Sequence, residues 1–219
     1  MRIALVGIDG SGKTTLLKRI QRDLESRGVR TKCTNLRGLH FRFLSLPMLL
    51  AFRLLGKEGR WFEGGQVKRS GHPALGQGCT WLKAMWTTLF LMDITLLAVI
   101  RGYFWIGTRV LLSDRNILDV LVDLMVAIGC EDLHQRKVVR TITRLLAADI
   151  AVHLDISAET AAERKPGEVK LDETLRKREE LYKAVTDHFH IVSVDASRPF
   201  DEVYKEVWKL VQPKCIATT

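Results

Sequence analysis

The stretch GIDGSGKT, at residues 7–14, constrains the fold more than any other part of the chain. It follows a short apolar run at residues 2–6. It leads into residues 14–27, where leucine and isoleucine recur at helical spacing. A short apolar run that ends in glycine predicts a buried parallel strand. Because Gly28 stands where a helix should end, we expect a strand, a tight loop and a helix in succession.

The glycines of this loop allow the backbone to turn tightly with its N–H groups facing inward. Together with the start of the helix, these groups form a concave site for an anion. The stretch matches the phosphate-loop pattern G-x-x-x-x-G-K-S/T, and the alternative is a glycine-rich turn without a ligand. The pattern predicts Mg·ATP binding, with Lys13 between the β- and γ-phosphates and the Thr14 hydroxyl on Mg²⁺. The predicted nucleotide-binding residues are Gly7, Asp9, Gly10, Ser11, Gly12, Lys13, Thr14 and Thr15.

Four further segments have the pattern of buried strands, and helical segments separate them. The predicted strands are residues 29–36, 109–113, 149–154 and 190–194, and the predicted helices are 118–128, 133–147, 159–185 (broken near Pro166) and 201–211. Alternating strands and helices predict an α/β fold, here a three-layer α/β/α sandwich with a five-stranded parallel sheet. We expect one domain over residues 1–219, with a variable region at about 39–105 and a lid at about 160–180.

The charge of the chain bears on its partners. The formal net charge is +9, and residues 31–80 carry eight Lys or Arg but only two Glu. A basic local field suits a phosphorylated acceptor or an anionic surface. No nucleic-acid-binding fingerprint is present, so we expect a small-molecule acceptor and no nucleic acid. Four scattered cysteines without a CxxC pair, and no signal-peptide pattern, predict a cytoplasmic protein.

Two apolar segments, residues 41–55 and 81–102, flank a glycine-rich stretch that we expect to be a mobile loop. The most apolar part, residues 87–100, is shorter than the roughly 20 residues that span a bilayer. It also contains Asp93, whose charge needs a partner there. We expect a buried helix, with an interfacial membrane helix as the alternative. The apolar surface also predicts a homodimer.

Three features resemble the thymidylate kinase family of nucleoside-monophosphate kinases. They are GIDGSGKT itself, Ser113-Asp114-Arg115 at the end of an apolar strand, and the succession HLDIS…ERK…LRKREELYKAV…VDAS. The resemblance covers about residues 1–37 and 109–211, and the middle of the chain matches poorly. It implies ATP-dependent phosphorylation of a nucleoside monophosphate, dTMP first. The alternatives are a sugar or lipid-linked acceptor and a nucleotide-binding switch with little turnover.

The resemblance also implies roles for individual residues. Asp9 would hold a sugar hydroxyl of the acceptor, Asp114 would hold Mg²⁺ through water, and Arg115 would clamp the acceptor phosphate. Among the basic lid residues Arg164, Lys165, Lys170, Arg176, Lys177 and Arg178, we select Arg164 and Arg178 to neutralise the transferring group. The alternatives are a helix N-cap for Asp114, a structural salt bridge for Arg115, and a solvated charged helix for the lid.

The acceptor half departs from the family pattern. Asn116 follows Asp-Arg where the family has an aromatic residue or His, and Asp93 and Thr95 stand where Arg and Gln would read the thymine. Asp123 falls where a tyrosine would pack against the sugar. Arg37, in Asn-Leu-Arg-Gly, still offers a group for the acceptor phosphate. Asp93, Asp119 and Asp123 could bind hydroxyls of a sugar-like acceptor, although for Asp119 and Asp123 we favour a surface or capping role.

Overall fold

The computed structural model describes residues 1–34, 88–89, 91–93, 95 and 109–216. Five segments of this range are strands. They are β1 (Arg2–Val6), β2 (Thr31–Thr34), β3 (Val110–Ser113), β4 (Ile150–Asp155) and β5 (Val192–Asp195). The helices are α1 (Lys13–Glu25), α2 (Ile117–Ile128), α3 (Lys137–Leu146), α4 (Ala158–Arg164), α5 (Glu173–Phe189) and α6 (Phe200–Ile216).

The strands form one all-parallel sheet in the order β2-β3-β1-β4-β5. The α/β class and the five-stranded parallel sheet are therefore confirmed. β1 is central, and Ile3, Ala4, Leu5 and Val6 have no exposed surface. Such burial on both faces is the reason that this strand is a continuous apolar run. The chain leaves β1 and β4 in opposite directions, so the carboxyl ends of these two strands border the crevice in which open α/β sheets bind ligands.

Three of the helices start at residues whose side chains or neighbours cap them. Asn116 precedes α2, its carbonyl accepts the first helical bond from Val120, and its N–H donates to the Asp119 side chain at 2.8 Å. The Ser157 hydroxyl caps α4, and the Asp172 carboxylate caps α5 by accepting from the Leu175 N–H at 2.8 Å. These caps account for the predicted break between two charged helices, which the structure confirms.

Several helical bounds differ from the sequence expectation. α5 extends to Phe189 rather than ending at residue 185. A single helix over residues 133–147 was wrong in extent, because a 3₁₀ helix at Glu131–Gln135 comes first and α3 follows it. α6 continues past residue 211, with Pro213 inside its last turns. Proline ends helices by blocking a backbone bond, which is why residue 211 looked like the end.

The chain divides into two compact units. The first contains residues 1–36, 107–126 and 131–219, and the second contains 37–106 and 127–130. The second unit nearly coincides with the variable region expected at 39–105. Arg37, the segment 41–55 and the glycine-rich stretch lie outside the described residues. Of the segment 81–102, residues 88–89, 91–93 and 95 are described and helical.

Asp93 belongs to the second unit and is only 3% exposed, so the charge within the apolar run is buried as expected. None of the helices among the described residues is both long and apolar enough to cross a bilayer.

Candidate phosphate-loop and acceptor site

The loop between β1 and α1 has the backbone geometry that its glycines predict. Gly7, Gly10 and Gly12 have φ values of 146°, 95° and 89°, which side-chain-bearing residues rarely adopt. A Cβ on Gly7 would lie 2.8 Å from the Leu154 carbonyl oxygen, and one on Gly10 would lie 2.6 Å from that of Ala161. Positions 7 and 10 therefore require glycine for two reasons. Their φ values are positive, and they pack closely against β4 and α4, respectively.

Lys13 is the first residue of α1, and its side chain turns back into the loop. Its Nζ donates to the carbonyl oxygens of Gly7 at 2.7 Å and Ile8 at 2.8 Å, with the Ser11 hydroxyl at 3.4 Å. Burial lowers the pKa of Lys13, while the nearby Asp119 and Asp9 carboxylates oppose that shift. The Lys13 side chain is therefore held inside the loop by two of its backbone carbonyl groups.

Thr14 and Asp114 meet at the carboxyl edge of the sheet. The Thr14 hydroxyl donates to Asp114 Oδ2 at 2.9 Å, although the two residues are 100 positions apart in sequence. Asp114 directly follows β3, and its N–H extends the sheet by donating to the Thr34 carbonyl at 2.9 Å. Asp114 is not the N-cap of α2, because Asn116 has that role. A hydroxyl beside a carboxylate suits Mg²⁺, which takes few protein ligands and keeps several waters.

Among residues 1–34, 109–216 and the short described stretches between them, no group of three or more His, Cys, Asp or Glu is placed to ligate a metal ion. Thr14 and Asp114, which the sequence predicts as metal ligands, lie next to each other.

Arg115 lies at the centre of a chain of ion pairs. One terminal nitrogen donates to Asp9 Oδ1 at 2.9 Å and the other to Asp123 Oδ2 at 3.1 Å. Asp123 Oδ1 in turn forms an ion pair with Arg178 of α5 at 2.9 Å. Burial alone would lower the pKa of Arg115, but the Asp9 and Asp123 carboxylates raise it. The guanidinium is 13% exposed, and both of its terminal nitrogens already pair with carboxylates.

Asp119 is buried beneath the phosphate loop. Besides the Asn116 N–H, it accepts from the Tyr182 hydroxyl at 2.6 Å and, at a long 3.5 Å, from the Gly7 N–H. Burial raises the pKa of its carboxyl group, while Lys13 and the hydrogen bonds from Tyr182 and the Asn116 N–H lower it. The capping role favoured for Asp119 is therefore present, but a surface position is wrong. Asp119 ties the residue after β1 and the start of α2 to α5.

Most basic residues of the expected lid have ordinary surface partners. Lys165 pairs with Glu168, Arg176 with Glu159, and Lys177 with Glu131 and Glu180. The exposed Arg164 guanidinium donates to the Ser197 carbonyl at 3.1 Å and does not join the Arg115 chain. Arg178 differs, because it is 15% exposed and joins that chain through Asp123. Of the two residues selected, only Arg178 is brought to the candidate acceptor site.

Tyr182 and the bridging role of Asp123 were missed by sequence reasoning. Tyr182 lies 63 positions from its carboxylate partner, and nothing in the pattern of α5 separates it from an ordinary core aromatic. Asp123 gave a partial signal, since a carboxylate replaces an aromatic residue of the family that the sequence resembles. Among the described residues, three buried side-chain nitrogens have no hydrogen-bond partner, Asn116 Nδ2, Arg178 Nε and His188 Nε2, and the first two lie near this site. Such nitrogens are uncommon in buried sites.

Comparison of the whole sequence with protein-family models gave no match, and neither did comparison with curated proteins.

Proposed function

We propose that this protein transfers the γ-phosphoryl group of Mg·ATP to a small acceptor. The observation that carries the proposal is the Thr14 hydroxyl 2.9 Å from the Asp114 carboxylate, beside a glycine loop that surrounds Lys13. This places a lysine, a hydroxyl and a carboxylate at one edge of a parallel sheet. Phosphoryl transfer needs mainly alignment and neutralisation of charge, and these groups supply both.

Each residue has a proposed task. The N–H groups of the loop and Lys13 would bind the β- and γ-phosphates, for which Lys13 must exchange its bonds to the loop carbonyls. Thr14 and Asp114 would hold Mg²⁺, which supplies charge neutralisation on the phosphate oxygens. Arg115 and Asp9 would position the acceptor. Arg178 would add positive charge at the site, whereas the support for Arg164 is the resemblance alone.

The fold supports the same assignment. Strand order reverses beside β1, and α1 packs against β1, β2 and β3 while α6 packs against β4 and β5. Right-handed connections would put helices on both faces, giving the three-layer sandwich of a P-loop kinase of the nucleoside-monophosphate kinase type. We propose a single catalytic domain over residues 1–219 that acts as a homodimer. We propose a cytoplasmic location because the four cysteines are scattered in the sequence without a CxxC pair.

The resemblance to thymidylate kinases makes dTMP the first acceptor to test, with dTDP and ADP as products. A second candidate is a hydroxyl-bearing, non-nucleotide acceptor such as a sugar. The observation that favours it is the pairing of both terminal nitrogens of Arg115 with carboxylates, since carboxylates readily accept hydrogen bonds from hydroxyls. Both candidates use the same ATP-binding residues.

The test is ADP release with Mg·ATP and a panel of acceptors that contains nucleoside monophosphates, nucleosides and sugars. We expect one acceptor class to stimulate ADP release and Lys13→Met to abolish the stimulation. Lys18→Met, on the exposed face of the same helix, is the matched control and should retain it. If calorimetry detects no Mg·ATP binding to the unaltered protein, the proposal is wrong. Binding without acceptor-dependent ADP release would instead identify a nucleotide-binding switch.

A further inference from the structure

Asp123, in α2, bridges two arginines from distant parts of the chain. Its Oδ2 accepts a hydrogen bond from Arg115, which lies between β3 and α2, at 3.1 Å, and its Oδ1 forms an ion pair with Arg178 of α5 at 2.9 Å. A carboxylate with one oxygen on each of two guanidinium groups has the contacts that a phosphate has when two arginines bind it. Asp123 therefore occupies contacts that a phosphorylated ligand would need.

The surrounding charges do not favour a second anion while this bridge is closed. Four carboxylates, those of Asp9, Asp114, Asp119 and Asp123, accompany three basic groups, those of Lys13, Arg115 and Arg178. The two arginine side chains are 13% and 15% exposed, so solvent screens these charges only in part. An arriving phosphate must either displace Asp123 or bind in a field with more negative than positive groups.

Arg178 retains one donor for such a ligand. Its Nε is buried, and no partner for it lies among the described residues. A buried donor left unpaired costs free energy that a ligand oxygen would recover. Asp123 thus holds the two arginines together. Arg178 Nε still offers a hydrogen bond to an anion that displaces the Asp123 carboxylate.

We propose that Asp123 is a specificity-determining residue that occupies the phosphate-binding position of Arg115 and Arg178 and competes with phosphorylated acceptors. An uncharged acceptor binds while Asp123 still contacts both arginines, so Asp123 does not compete with it. A phosphorylated acceptor binds only when Asp123 gives up these contacts. This inference deepens the proposed function, since it concerns the charge of the acceptor at the same site.

The test compares dTMP with thymidine, which differ by the phosphate, in calorimetry with saturating Mg·ADP. In the unaltered protein the phosphate should improve affinity less than about tenfold, because each added contact replaces an existing one. Asp123→Asn and Asp123→Ser remove the competitor, and each should bind dTMP at least about tenfold more tightly while thymidine affinity changes less than about twofold. Asp132→Asn, an exposed carboxylate in the 3₁₀ helix, is the matched control and should change neither affinity.

Inorganic phosphate serves as a second probe that needs no nucleoside pocket, and the two variants should bind it more tightly than the unaltered protein. Equal or weaker binding of both anions by the variants would overturn the proposal. A more than hundredfold preference of the unaltered protein for dTMP over thymidine would also do so, even if neither variant folds. Failure of the kinase assignment looks different, because Mg·ADP and Mg·ATP would then not bind while the gain in phosphate affinity persisted.

Discussion

Replacing Gly10 and Gly12 by alanine in parallel separates backbone strain from steric overlap in the phosphate loop. Both glycines have positive φ, 95° and 89°. They differ in their surroundings, because a Cβ on Gly10 would meet the Ala161 backbone and a Cβ on Gly12 would meet nothing within 4 Å. Gly12→Ala thus has the conformational cost alone and is the control for Gly10→Ala.

The magnitudes follow from these contacts. An alanine held at positive φ destabilises the folded state by about 1–2 kcal/mol. Alanine also lowers the conformational entropy of the unfolded chain, which offsets about 0.4–1 kcal/mol of that destabilisation. Gly12→Ala should therefore lower the free energy of unfolding by about 1 kcal/mol. For Gly10→Ala, the 2.6 Å approach to the Ala161 oxygen adds an overpacking cost of about 1–3 kcal/mol, because α4 must move away from the loop.

Urea unfolding followed by circular dichroism measures the difference. With a denaturant slope of about 2 kcal/mol per M, the Gly10→Ala midpoint should lie about 1 M below that of Gly12→Ala. Equal midpoints, or a lower midpoint for Gly12→Ala, would refute the claim that the loop is packed tightly against α4. Each variant's affinity for Mg·ATP should be measured beside its stability, since both substitutions alter the N–H groups of the loop.

The remaining predictions concern buried polar groups and the metal pair. Tyr182→Phe deprives Asp119 of a hydrogen-bond donor and should lower the free energy of unfolding by about 1–3 kcal/mol in the same urea assay. The Tyr204 hydroxyl donates to Asp23 at a more exposed site, so Tyr204→Phe should have a smaller effect. Burial lowers the pKa of His153, so its stabilising contribution is present above the unfolded pKa of about 6.5 and is lost as pH falls through the lower folded pKa. His153→Gln should make unfolding less sensitive to pH below about 6.5, and an unchanged pH profile would contradict this. Asp114→Asn should raise the Mg²⁺ concentration needed for half-maximal ADP release while metal-free ATP affinity changes little, and equal metal requirements would count against a metal role for Asp114.

Local sequence patterns predicted much of the fold, because the residues that determine each strand or helix lie within that strand or helix. The apolar run of β1, the glycine loop and the helical spacing of α1 are contiguous in sequence. The break between α4 and α5 was also readable, from Pro166 and from the caps around it. The bounds of α3 were missed because a 3₁₀ turn differs from an α-helix in hydrogen-bond register, which side-chain periodicity does not resolve.

Site residues that belong to one contiguous segment could be predicted from the sequence. Contacts between residues from distant segments could not. Lys13 and Thr14 belong to a contiguous motif, and Asp114 ends a recognisable strand. The bridge from Arg115 through Asp123 to Arg178 depends on how α2 and α5 pack, and spacing along the chain carries no information about that contact. Arg164 and Arg178 looked alike in sequence, yet their contacts in the fold differ.

The central strand has a consequence for synthesis of the chain. β1 pairs only with β3 and β4. Ile3 therefore cannot complete its sheet pairing until both Leu112 and Ile150 have been synthesised. At about 5–20 residues per second, a ribosome needs roughly 7 to 30 s to deliver the second of these partners. During that interval an apolar strand with unsatisfied backbone groups has been synthesised without its neighbours. Such long-range pairing folds slowly, so β1 is open to misassembly until both partner strands have been made.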